Sequence, residues 1–138
     1  PDKFIVSMDD IYITEPTEVT YYCKGSLENG TAFHQRSKGI TKQYLEDKKL
    51  PTLDFECHAP YAVQKDKFLA ILNAIRTNKN RFMLQWRSIY GNTYGVDYQS
   101  FEDAKTKTNE LPESSIISTQ RFTPELVKLF PEPSRYET

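Results

Sequence analysis

The stretch Arg81-Phe82-Met83-Leu84-Gln85-Trp86-Arg87-Ser88-Ile89-Tyr90-Gly91-Asn92-Thr93-Tyr94-Gly95-Val96-Asp97-Tyr98 decides the fold. Read with a period of two, it is a hairpin. Phe82, Leu84 and Trp86 fall on one face of a strand from Arg81 to Ser88, and Met83, Gln85 and Arg87 fall on the other. Tyr90-Gly91-Asn92 supplies the turn. Thr93 to Tyr98 returns with Tyr94, Val96 and Tyr98 sharing a face.

Working outward, Gln64 to Asn78 carries Phe68, Ile71, Leu72 and Ile75 at helical spacing, which predicts an amphipathic helix ended by Asn78-Lys79-Asn80. Upstream, Leu53, Phe55 and Cys57 alternate with Asp54, Glu56 and His58, the pattern of a half-buried strand with its acids facing solvent. Gly39 to Leu50 reads as a short helix stopped by Pro51. Phe4 to Ile13 and Glu18 to Gly25 read as strands. Asn29-Gly30 is a tight-turn signal, so Thr31 to Ser37 is expected to return as another strand. Beyond the hairpin, Ser100 caps a short polar helix to about Asn109, Ser115 to Phe122 is a last strand, and Pro124 opens a final helix through Phe130.

The expected architecture is therefore α+β: a single mixed or mainly antiparallel sheet of about six strands, with two to four short helices packed mainly on one face. Residues 1–138 fit one domain, with 131–138 as a frayed tail. Hydrophobic residues make up only 38% of the chain, but nine Tyr, eight Phe and one Trp supply large side chains for a core. No stretch approaches the run of roughly 20 apolar residues that a membrane helix requires. Pro1-Asp2-Lys3-Phe4-Ile5-Val6 has too short an apolar run for a signal peptide. Cys23 and Cys57 form no spaced motif and read as two buried thiols of a cytoplasmic protein.

The net charge of −1 hides an asymmetry: residues 1–23 hold one base and five acids, 24–87 twelve bases and six acids, and 88–138 five bases and eight acids. A basic middle between acidic ends suits an anionic partner if the cations gather on one surface. Lys38, Lys42, Lys79, Arg81 and Arg87, with Tyr90 as the ring nearest a turn and hence exposed, are the candidate nucleic-acid contacts. Cations neutralise phosphates while rings stack bases, which favours a single strand. The competing reading of Trp86 and Tyr94 is core packing, because they alternate with Leu84 and Val96.

A protein-interaction module or inhibitor that masks a partner is the alternative, expected to present an exposed apolar patch. A third reading is a metal-dependent nuclease-like enzyme. Asp54 and Glu56 project together in the expected strand and can hold a divalent cation. The Asp-x-Glu string resembles the first motif of proofreading-type exonucleases, but no later acidic motif matches. His34 and His58 with Cys23 and Cys57 lack the two short-spaced pairs of a zinc site. No phosphate-cradling glycine loop is present. No catalytic residue, metal or cofactor is expected.

Overall fold

The computed structural model describes residues 2–8, 11–13, 18–100 and 116–118. Their order is β1 (Lys3–Val6), β2 (Ile11–Ile13), β3 (Tyr21–Cys23), α1 (Phe33–Asp47), β4 (Tyr61–Gln64), α2 (Lys65–Arg76), α3 (Trp86–Tyr94), β5 (Tyr98–Ser100) and β6 (Ile116–Ser118). The class is α+β, as expected. Among the described residues no single sheet forms: the strands pair two by two. β1 and β4 are antiparallel, with Phe4 opposite Val63. β2 and β6 are antiparallel, with Tyr12 opposite Ile117. β3 and β5 are parallel, with Tyr22 opposite Gln99. The expected strand from Phe4 to Ile13 is thus two strands with different partners. None of the described helices is long and apolar enough to cross a membrane.

α2 follows its sequence pattern most closely. Ile71 is buried and Phe68 and Ile75 pack against the core, although Leu72 turns outward. The Asp66 carboxylate in its first turn and Arg76 in its last complement the helix dipole.

α1 starts inside the segment expected as a third strand. Its buried positions are Ser37, Thr41 and Leu45, one residue per turn. Two of the three are polar, so the apolar period of Ile40, Tyr44 and Leu45 marks only the second half of the helix. Their hydroxyls are used: Ser37 Oγ donates to the Met83 carbonyl, and Thr41 Oγ1 accepts the Gln85 N–H at 3.1 Å. The Asn29-Gly30 pair makes no hairpin; it lies in the approach to α1, with Asn29 Oδ1 accepting the Gly30 N–H.

The hairpin expected over 81–98 is a turn followed by α3. Trp86, Ile89, Tyr90 and Tyr94 also satisfy a helical period, and burial on nearly every side decides for it: Ser88 through Asn92 are all buried. The polar members of this run serve the extended segment 53–57. The Asn92 side-chain amide accepts the Leu53 N–H at 3.0 Å and donates to the Leu53 carbonyl at 2.8 Å, in place of a neighbouring strand. Ser88 Oγ accepts the Phe55 N–H at 3.1 Å. Gly91, read as a turn residue, is needed for close approach: a Cβ there would lie 2.5 Å from the Phe55 ring. Gly95, with φ +59, ends α3 in the left-handed region that favours glycine. On the opposite edge of segment 53–57, Asp54 exchanges backbone hydrogen bonds with Lys24 and Gly25.

The core is built from Cys23, Phe55, Tyr61, Val63, Ile89 and Tyr90, with Ile71 from α2. Its rings meet edge to face, Tyr61 against Trp86 at 5.2 Å, Tyr21 at 4.9 Å and Tyr90 at 5.9 Å. Such pairs add about 0.5–1.5 kcal/mol each beyond burial. The helix expected after Ser100, the helix expected over 124–130 and the tail 131–138 lie outside the described residues.

Candidate functional site

The structure divides the candidate cations between two places. The first is the interior. Asp54 and Glu56, expected on a solvent face, turn inward instead, because the 53–57 segment is enclosed by α1, α3 and the chain at 24–27. Asp54 is 4% exposed and forms an ion pair with Lys38 of α1 at 2.5 Å. Its other oxygen accepts the Glu56 N–H at 2.8 Å.

The Glu56 Oε2 is shut off from solvent and meets no hydrogen-bond partner among the described residues. Burial pushes its carboxyl up from 4.5 to about 7. The nearby Arg87 charge, the Ser88 backbone N–H and Lys38 draw it back down, while Asp54 adds to the rise. The Ser88 N–H lies in the first turn of α3, whose own N-cap residue Gln85 offers no side-chain cap. The Arg87 Nε is likewise buried, and its guanidinium sits 5.3 Å from the Trp86 ring.

Lys38 and Arg87 are therefore brought together, but around two carboxylates rather than on an outer surface. The Lys38 ammonium sits on Asp54, where a divalent metal shared with Glu56 would have to bind. Among the described residues no group of three or more His, Cys, Asp or Glu side chains is placed to hold a metal ion. Cys23 and Cys57 are both free and buried. Burial pushes the Cys57 thiol up to about 12, so it stays protonated at neutral pH, which is unsuited to a nucleophile.

Two further candidates, Tyr90 and Lys42, lie on α3 and α1. Tyr90 is a correction: it is 3% exposed, with its hydroxyl accepting the Gln64 N–H at 3.0 Å and its ring against Tyr61 and Tyr94. A glycine beside it suggested a turn, but that glycine is inside a helix. Lys42 is on α1 with Glu46 one turn on, 4.0 Å away.

The second place is the connection from α2 to α3. Lys79 and Arg81 are exposed there, and so is Arg76 at the end of α2. From Lys67 through Val96 the chain has no acid. Among the described residues no carboxylate pairs with Arg76, Lys79 or Arg81.

The connection is a run of hydrogen-bonded turns. The Asn78 N–H donates to Ile75 O at 3.0 Å, the Arg81 N–H to Asn78 O at 3.2 Å, and the Met83 N–H to Asn80 O at 2.8 Å. Asn78 Oδ1 also accepts the Asn80 N–H at 2.8 Å, the local bond that favours Asn in turns. Ser37 and Thr41 of α1 then anchor Met83 and Gln85.

Phe82 projects from these turns, 83% exposed, with the Arg81 guanidinium 4.6 Å from its ring centroid. Sequence reasoning placed Phe82 on the core face of a strand and missed it. The signal available was its position between Arg81 and the helix-breaking Asn78-Lys79-Asn80, in the middle of the acid-free run. Compared with known family models, curated proteins and solved structures, the chain matches none of them.

Proposed function

We propose that this chain is a small nucleic-acid-binding protein whose contact surface is the α2–α3 connection, from Arg76 to Phe82. The observation that carries the reading is the coincidence of three exposed cations and an exposed ring, from the last residue of α2 through the ordered connection, with no carboxylate paired to those cations among the described residues. Phosphates gain from such cations by releasing condensed counterions. The turns' internal hydrogen bonds mean that little backbone order must be lost on binding. Single strands are favoured over duplexes, because the ring adds a stacking surface to the charges. Lys38 and Arg87 contribute indirectly, by fixing the segments that hold the connection in place. A cytoplasmic setting belongs to this reading, and the free thiols of Cys23 and Cys57 support it.

Fluorescence anisotropy with labelled single- and double-stranded oligonucleotides across a salt series tests it. Three phosphate contacts give a logarithmic salt slope of about −2 to −3. Absence of binding at low salt removes the reading.

One observation favours a protein partner as the second reading. Leu69 is 52% exposed and Leu72 38%, three residues apart on α2 and leading toward Arg76. An apolar row with a basic end suits an acidic amphipathic peptide. That reading predicts no oligonucleotide binding, and loss of partner binding on Leu69→Ser.

A further inference from the structure

Resting on the nucleic-acid reading, we infer that Phe82 is a stacking platform for one unpaired base, held in position by Arg81, and that the ligand is consequently single-stranded. Isolated exposed hydrophobic side chains are ordinary and need no function. Phe82 differs from Phe33 and Ile5, which are also exposed, in what surrounds it. It follows Arg81 directly, and Lys79 and Arg76 precede it on the same connection.

The residues on both sides of the ring are fixed. Arg81 is bound through its N–H to Asn78, and Met83 through its N–H to Asn80 and through its carbonyl to Ser37 of α1. The guanidinium lies 4.6 Å from the ring centroid, and at 83% exposure most of the ring is left to solvent. A base laid on the exposed ring completes a cation–ring–base stack, with its phosphate within the field of Lys79 and Arg81. In a duplex, base faces are already stacked on one another, and the ring reaches none without unstacking a step. Single strands present their faces freely. The flanking phosphate contacts carry no sequence information, and an aromatic platform accepts every base, so the site is expected to be tolerant of sequence.

The experiment uses the full chain with a short fluorescein-labelled oligothymidylate and the same strand annealed to its complement. The expected result is tighter binding to the single strand. Phe82→Ala should weaken single-strand binding about 5- to 150-fold, the range for losing one base–aromatic stack. It should leave duplex binding and the salt slope as they were. Phe82→Trp should restore single-strand affinity, and its indole emission should be quenched on binding. Lys79→Gln should act differently, lowering the salt slope for both ligands.

Because the ring is outside the core, an unchanged melting temperature in Phe82→Ala confirms that the fold is intact. Equal affinity for the two ligands, with Phe82→Ala unchanged and the salt slope still steep, overturns the stacking platform but leaves phosphate binding standing. An equal loss for both ligands also overturns it, since the ring would then act by shaping the connection. No binding of either ligand at low salt removes the nucleic-acid reading and the platform with it.

Discussion

Two cationic regions of similar composition lead opposite lives in this molecule. Around segment 53–57, Lys38 pairs with Asp54, and Arg87, its Nε buried, lies within electrostatic reach of Glu56. At the end of α2 and on the α2–α3 connection, Arg76, Lys79 and Arg81 face outward without a carboxylate partner among the described residues. The contrast shows that a basic segment is not a surface property until its counter-charges are located. Acids at Asp54 and Glu56 commit two cations to the fold, and the acid-free run from Lys67 to Val96 leaves three others available. The interior cations should therefore be felt in stability, and the outer ones in binding.

The sharpest break in this comparison is Asp54→Ala. It leaves Lys38 without its partner and removes the acceptor for the Glu56 N–H. Removing one member of a buried pair costs about 3–5 kcal/mol. Urea unfolding should show a loss of that order, toward the low end because Lys38 keeps some contact with solvent. A loss below about 1 kcal/mol would place the pair with ordinary surface ion pairs.

Next in size is the pH dependence from Glu56. Its carboxyl is raised in the folded protein, so the folded state holds the proton more tightly than the unfolded chain does. Its contribution is most favourable below about 4.5 and declines as pH rises through the window to about 7, by roughly 3 kcal/mol, before levelling off. Glu56→Gln should flatten that part of the profile and be more stable than the parent above pH 7. A parent profile that rises across this window, with the Gln variant following it, contradicts the buried placement.

Gly91→Ala sharpens the packing side of the comparison. The added methyl meets the Phe55 ring, itself 1% exposed, and overpacking of this kind costs about 1–3 kcal/mol. Thermal unfolding should show a lower midpoint, and part of the loss should return in Gly91→Ala combined with Phe55→Leu. The smallest stability effect belongs to the connection. Lys79→Gln and Arg81→Gln should each change unfolding free energy by no more than about 0.5 kcal/mol, as surface substitutions do.

Legibility in the sequence followed the same division. α2 was readable because Phe68, Ile71 and Ile75 form a stripe that tertiary contacts did not override. α1 was half-hidden because its buried face is Ser37, Thr41 and Leu45, chosen for hydrogen bonds to the segment at 83–85. α3 misled because Trp86, Ile89, Tyr90 and Tyr94 fit a helix while Leu84, Trp86, Tyr94 and Val96 fit strands. What settled it was Asn92 and Ser88 bonding the 53–55 backbone, contacts between distant segments. β4 was missed because its four residues run straight into α2.

Around the candidate site, the exposure of Lys79 and Arg81 follows from the polar, helix-breaking run Asn78-Lys79-Asn80. Lys38 stands out by its charge, but its pairing with Asp54 was not legible, since the partner is 16 residues away. Phe82 escaped because alternation assigns a ring next to Leu84 to the interior.

The most direct test of the division between the two regions is the salt dependence of single-strand binding, compared for the parent, the Lys79→Gln/Arg81→Gln pair and Lys42→Gln on α1. The account predicts a steep decline with salt in the parent and a slope shallower by about 1.4 in the double variant, from two lost phosphate contacts. Lys42→Gln should match the parent. A double variant whose slope and affinity equal the parent's would contradict the assignment of the binding surface to the α2–α3 connection.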